Sequence, residues 1–102
     1  MSEQKHTPGP WLVNPFCAQV DDAQGVPICQ LLWPTDERTE RETMENAKLI
    51  QAAPDMLAAL IETRQEISCY LDWARHNGRT NSELQRIGKG LDSVIRKAKG
   101  EA

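Results

Sequence analysis

The segment from residue 70 to residue 81 holds the side chains in this sequence that are best suited to binding an anion. Arginine donates paired hydrogen bonds to phosphate, an aromatic ring stacks on a nucleotide base, and the start of a helix presents free N–H groups. The candidate ligand-binding residues are Tyr70, Trp73, Arg75, His76, Arg79, Thr80 and Asn81. They predict a site for a small phosphorylated ligand. The same composition is also typical of an exposed turn between two helices, with Tyr70 in the core, and that interpretation requires no ligand.

A second candidate surface is acidic and lies between residues 36 and 45. Its carboxylates belong to Asp36, Glu37, Glu40, Glu42 and Glu45. Such a surface is expected to meet a basic surface on another protein, by mimicry of a nucleic acid. We take Glu37, Glu40 and Glu42 as the candidate protein-interface residues on this side of the molecule.

The sequence contains no motif for a familiar reaction. It has no glycine-rich phosphate loop, no H-E-x-x-H and no G-x-S-x-G. Its three cysteines are odd in number and include no C-x-x-C pair, so no zinc site is indicated. Cys17 and Cys29 could face each other across a hairpin, but a reducing cytosol opposes a disulfide. We therefore expect a protein that is not an enzyme and uses no metal or cofactor.

Length and composition are typical of a single globular domain spanning residues 1–102. The chain is 39% apolar and 26% charged. No apolar run approaches the ~20 residues that span a bilayer, and the polar N-terminus lacks the apolar core of a secretory signal. We expect no membrane segment and a location in the cytoplasm.

Charge is distributed unevenly along the chain. Residues 1–74 carry five Lys/Arg against twelve Asp/Glu, whereas residues 75–102 carry seven against three. The basic C-terminal part could bind an anionic partner. We favour instead an ion-paired contact within the protein or between subunits, because a neutralised interface needs no ligand. With a pI near 5.3, nucleic acid is an improbable partner.

The N-terminal third predicts β structure behind a short tail. Residues 1–10 are expected to be extended, because Pro8 and Pro10 exclude helix and central strand, and Trp11 is expected to be a largely buried anchor. Residues 11–34 form the predicted β region. Its main feature is a hairpin of residues 16–21 and 26–33, with turn chemistry ending at Gly25.

Residues 39–99 predict three helices. Thr39 and Glu42 fit a capping box, Pro54 separates the first helix from a second of about twenty residues, and Gly78 suits the stop of the second. The third carries a heptad seam of Leu84, Ile87, Leu91, Val94 and Ala98. The fold class is therefore α+β, with an N-terminal β-hairpin or short meander packed on two or three C-terminal helices. Because a chain this small has few helices to cover the seam, we expect a homo-oligomer with Ile87 and Leu91 in its interface.

Two segments of the chain resemble a recurrent family of small phage and prophage proteins. They are His6-Thr7-Pro8-Gly9-Pro10-Trp11 and Asn46-Ala47-Lys48-Leu49-Ile50-Gln51-Ala52-Ala53-Pro54-Asp55-Met56-Leu57-Ala58-Ala59-Leu60. The family pattern has an H/T-P-G-P-W start, a short β region, and then N-A-x-L-I-x-A-A-P-[DE]-L-L-x-A-L. Gln51 and Met56 depart from it, since alanine and leucine are more usual there. Asn46 is expected either to bond the hairpin backbone or to line a site.

The resemblance implies a viral accessory protein and no reaction. Phage genes of this size often encode counter-defence proteins, so the expected function is inhibition of a host defence protein by direct contact in the host cytoplasm. The alternative is an oligomeric sponge that sequesters a nucleotide second messenger. A nucleic-acid-binding regulator is a more distant third.

Overall fold

The computed structural model describes residues 6–32 and 37–101, and it has the expected α+β fold. A three-stranded sheet comes first and three helices follow it. The strands are β1 (Leu12–Asn14), β2 (Gln19–Asp21) and β3 (Pro27–Gln30), and the helices are α1 (Glu40–Gln51), α2 (Ala53–His76) and α3 (Ser82–Ala98). The predictions made for Trp33, Pro34 and Asp36 lie outside the described residues.

The chain forms two compact units, Met1–Met56 and Leu57–Ala102. The first contains the sheet and α1, and the second contains most of α2 and all of α3. The prediction of one domain stays a prediction. None of the helices in the described ranges is long and apolar enough to cross a membrane.

The sheet of the first unit is an antiparallel meander in the order β1-β2-β3. Val13, Val20 and Cys29 stand opposite one another in the register, so they share one face of the sheet. Helix α1 packs on β1 and β2. Val20 is fully buried there, as is Ala47 of α1, and this small layer is the core of the first unit.

The strands are shorter than the predicted hairpin. Residues 15–18 form a turn in place of the start of a strand, and Ala18 adopts a φ of 47°. Phe16, predicted to begin the first strand of the hairpin, is instead in this turn and is 90% exposed. The reason is local: Pro15 lacks an N–H group, and the Asn14 side chain accepts a hydrogen bond from the Phe16 N–H at 3.1 Å, which closes a turn. The turn expected near Gly25 is confirmed, with a φ of 83° at that glycine.

The start of α1 is the one that the capping box predicts. Thr39 is the N-cap, and its side chain accepts a hydrogen bond from the Glu42 N–H at 3.1 Å. At the other end of α1, the Gln51 side-chain oxygen accepts a hydrogen bond from the Val13 N–H of β1 at 3.0 Å. Gln51 thus makes a hydrogen bond from α1 to the backbone of the sheet, which was one of the two roles expected for Asn46. Gln51 is also one of the two departures from the family pattern.

The N-terminal segment bends at His6 and at Gly9, and the extended tail expected for residues 1–10 stays a prediction. The Trp11 indole N–H donates to the Thr7 carbonyl at 3.1 Å, and the His6 ring meets the indole edge to face. The Gly9–Pro10 peptide bond is cis. Trp11 is half-buried, less than the largely buried anchor that was predicted.

In the second unit, α2 and α3 are joined by a tight turn. Gly78 takes the left-handed conformation with a φ of 68°, and the Arg79 N–H donates to the Ala74 carbonyl at 2.8 Å. This is the helix stop that the sequence predicts. Helix α2 is 24 residues long and begins at Ala53, one residue before Pro54.

The predicted seam of α3 is divided between two faces. Leu84, Leu91 and the fully buried Ile95 lie on one face. On that face, a Cβ at Gly88 would lie 3.3 Å from Ile67 of α2. The other predicted members, Ile87, Val94 and Ala98, are exposed. Within the unit, α2 covers the side of α3 that contains Gly88, and the expected burial of the seam in a homo-oligomer stays a prediction.

Candidate functional site

The C-terminal turns of α2 carry two exposed aromatic rings side by side. Tyr70 and Trp73 are three residues apart, which places them on one face of the helix. Their ring centroids are 5.9 Å apart and the planes are inclined by 34°. Tyr70 is 43% and Trp73 50% exposed. Tyr70 is therefore not the core residue that the simpler interpretation of this segment expects.

Arg79 completes this group. Its guanidinium carbon lies 5.7 Å from the centre of a Trp73 ring, within the range of a cation–π interaction. The turn at Gly78 brings Arg79 back over α2, and the Asn77 side chain donates to the Trp73 carbonyl at 2.8 Å. We call Tyr70, Trp73 and Arg79 the aromatic–arginine cluster. Two adjoining hydrogen bonds and the cation–π contact hold it in place.

The other predicted ligand-binding residues are engaged elsewhere. Arg75 is paired with Asp72 at 2.8 Å, and the His76 ring nitrogen Nδ1 lies 2.8 Å from the Asp72 carbonyl. Asn81 is the N-cap of α3 and accepts a hydrogen bond from the Leu84 N–H at 3.0 Å. Thr80 is exposed in the turn. The structure therefore brings three of the seven predicted residues into one cluster and gives Arg75, His76 and Asn81 local structural contacts.

The acidic surface has a structural explanation of its own. Glu40 and Glu42 occupy the first turn of α1, where carboxylates interact favourably with the helix dipole. Both are exposed, as is Glu37. Arg38 and Arg41 are exposed beside them, so the charge of this turn is mixed. The role of the three glutamates in a protein interface stays a prediction.

Sequence reasoning missed a groove within the second unit. The groove lies between α2 and α3, has a volume of about 1040 Å³, and includes Arg64, Ser68, Asp92, Ser93 and Arg96 in its lining. Asp92 is paired with both arginines, at 3.2 Å to Arg64 and 3.1 Å to Arg96. The Arg64 partner is 28 residues away in sequence, so only the Asp92–Arg96 spacing of four was visible as a local signal.

Phe16 is the second feature that sequence reasoning missed. Phe16 is 90% exposed in a turn, although a single exposed apolar side chain does not by itself mark a contact surface. The signal for it was Pro15, which ends strand pairing just before Phe16. No group of histidine, cysteine or acidic side chains able to hold a metal occurs in the described ranges. The three cysteines are free thiols.

The fold defines a small α+β protein, and this protein carries the exposed aromatic–arginine cluster. The whole chain, residues 1–102, matches the model of a family described as Salmonella phage P22 protein Y8K6. The chain belongs to that family, which confirms the expectation of a phage protein. That the two sequence motifs define the family stays a prediction. Searches of curated proteins and of solved structures found no significant match.

Proposed function

We propose that this phage protein is not an enzyme and that it inhibits a host protein by direct contact through the aromatic–arginine cluster. The observation that carries the proposal is the exposure of two neighbouring aromatic rings beside an arginine that lies over one of them. Tryptophan, tyrosine and arginine are the residues that most often dominate the energy of protein interfaces. The acidic first turn of α1 has a weaker claim, since Arg38 and Arg41 accompany its glutamates.

The cluster is also well prepared for binding. Arg79 rests on Trp73, and the turn that carries Arg79 is closed by its N–H bond to the Ala74 carbonyl. Side chains that are already held in place lose little conformational entropy on association. An aromatic ring has few rotatable bonds, so it adds apolar contact area at a low entropic cost.

A nucleotide sponge remains the alternative, since a base can stack on an aromatic ring. The geometry supports it less well. Arg79 already occupies one face of the Trp73 ring, and Arg75 is paired with Asp72. A phosphate would have to draw both arginines away from these partners. The counter-defence role and the host cytoplasm belong to the proposal as well, and their support is the family of the protein alone.

The test is affinity purification of the tagged protein from infected host cells, followed by measurement of binding to the recovered partner. Trp73→Ala and Arg79→Ala are each expected to weaken binding by about 30-fold or more, as for central interface residues. Arg86→Ala is the matched control for the arginine, because Arg86 is also exposed but lies on α3 in a pair with Glu83.

Phe16→Ala is the matched control for the aromatic change and also tests the other exposed ring. Binding that survives Trp73→Ala but fails with Phe16→Ala would move the interface to the first unit. Calorimetric titration with cyclic and linear nucleotides tests the alternative. Heat that disappears in the Arg75→Ala/Arg79→Ala variant would favour the sponge over protein binding.

A further inference from the structure

Helix α3 has a second apolar face that none of the described residues of its own unit covers. Ile87 is 43% and Val94 52% exposed, and Ala98 is exposed beside them. At 3.6 residues per turn these three lie within about 40° of one another around the helix. We call them, together with Gly90, the outer stripe of α3.

Gly90 is an unexpected residue in this place. Glycine is among the poorest helix formers, and Gly88, two residues earlier, has a packing reason because Ile67 lies against it. A Cβ at Gly90 would meet nothing within 4 Å. Nothing among residues 6–32 and 37–101 therefore accounts for a glycine here, whereas the close approach of another backbone would.

The charges beside the stripe indicate which chain supplies the approaching backbone. Glu83, Gly90 and Lys97 are seven residues apart, so they occupy equivalent positions along one flank of the stripe. The opposite flank, at Gly88 and Ile95, faces the interior of the unit. When two copies of a helix pair antiparallel, equivalent flanks face each other. Glu83, which pairs with Arg86 of its own chain at 2.9 Å, would then also meet Lys97 of the other copy, and the two Gly90 residues would meet at the centre.

We propose that the outer stripe of α3 is a self-association surface on which a second copy of this chain docks antiparallel, with Gly90 at the twofold axis. Ile87 of each copy packs near Val94 of the other. In a parallel pairing, the flank of one copy that contains Glu83 would face the flank of the other copy that contains Ile95. Ile95 is already buried within its own unit, so that flank cannot receive a second copy. Two equal helices present a small interface, so the dimer forms reversibly and depends on concentration.

The first test is sedimentation equilibrium of the full chain up to about 100 micromolar, where an interface of this small size associates. The wild type is expected to be a monomer–dimer equilibrium. Val94→Glu is expected to weaken association by about 30-fold or more, because it places an unpaired charge in the contact. Gln85→Glu is the matched control: it adds the same charge nine residues away, on the opposite side of the helix.

Circular dichroism shows whether each variant is folded, so that loss of the dimer is not confused with unfolding. A wild-type chain that is a monomer over the whole concentration range overturns the proposal. So does a Gln85→Glu variant that dissociates as readily as Val94→Glu.

Two further variants test the arrangement itself. Gly90→Ala is expected to raise the thermal midpoint of the dilute monomer and to weaken the dimer, a combination that a purely structural glycine would not give. Glu83→Lys is expected to weaken the dimer, and Glu83→Lys/Lys97→Glu to restore it with the charges exchanged. Failure of the double variant to restore association overturns the antiparallel arrangement.

Discussion

Gly9 lies directly against Pro54: a Cβ at Gly9 would come within 3.2 Å of the Pro54 Cβ. Gly9 belongs to the first of the two sequence motifs and Pro54 to the second, and 45 residues separate them. The N-terminal segment is therefore fitted onto the junction between α1 and α2. This contact gives a physical reason for the two motifs to occur together, because a larger residue at the first would displace the second.

Gly9→Ala is expected to lower the free energy of unfolding by about 1 kcal/mol, since the forced contact with a rigid proline ring outweighs the loss of chain entropy in the unfolded state. Urea unfolding of the dilute protein measures it. The control is Gly90→Ala, where the added methyl has open space and improves helix propensity, so the same substitution should stabilise by about 1 kcal/mol. Equal effects of the two changes would contradict the contact.

Asn81 is one of the candidate ligand-binding residues, and its side chain caps α3. Asn81→Ala is expected to reduce stability by about 1 kcal/mol, the usual cost of losing an N-cap. Asn81→Asp should restore it, because aspartate accepts the same hydrogen bond from the Leu84 N–H. Thermal unfolding of the three proteins decides the matter. Full stability in the alanine variant would show that the Asn81 side chain does not stabilise α3 as a cap.

The elements that sequence reasoning predicted well are set by local chemistry. The N-cap at Thr39 needs only residues three apart, and the stop at Gly78 needs only one residue able to take a positive φ. The fold class followed from such signals. The prediction failed where the local sequence pattern was compatible with both a strand and a turn. Phe16 continued an alternating strand pattern, but the turn at Asn14 and Pro15 released it to solvent.

The candidate site could be predicted only in part for the same reason. The spacing of Tyr70 and Trp73 puts both rings on one face, but the position of Arg79 over Trp73 depends on the exact return of the chain after Gly78. The pairing of Arg64 with Asp92 joins two helices across 28 residues. Sequence periodicity contains no information on which arginine a distant aspartate will meet.

The heptad pattern of α3 also did not show which of two adjacent residues is buried. The structure does, and it predicts different effects of replacing them. Ile95 is fully buried and Val94 is 52% exposed. Ile95→Ala is expected to cost about 2–5 kcal/mol, whereas Val94→Ala should cost well under 1 kcal/mol in the dilute monomer. Chemical denaturation of both variants at low protein concentration tests the assignment. A comparable loss in the two variants would mean that Val94 is buried as well as Ile95, contrary to the observed face.

Asp92 is the shared ion-pair partner of Arg64 and Arg96 in the groove. Asp92→Asn removes the carboxylate and leaves two arginines in proximity, so stability is expected to fall by about 1 kcal/mol, a modest figure because the pairs are partly exposed to solvent. The loss should shrink in 1 M salt, where charges are screened within about 3 Å. The matched control is Asp72→Asn: Asp72 pairs with the single, largely exposed Arg75, and its replacement should have almost no effect. Urea unfolding of both variants at low and high salt measures how much of each loss of stability depends on charge. An Asp92→Asn loss that is the same at both salt concentrations would show that the residue acts through packing and not through its charge.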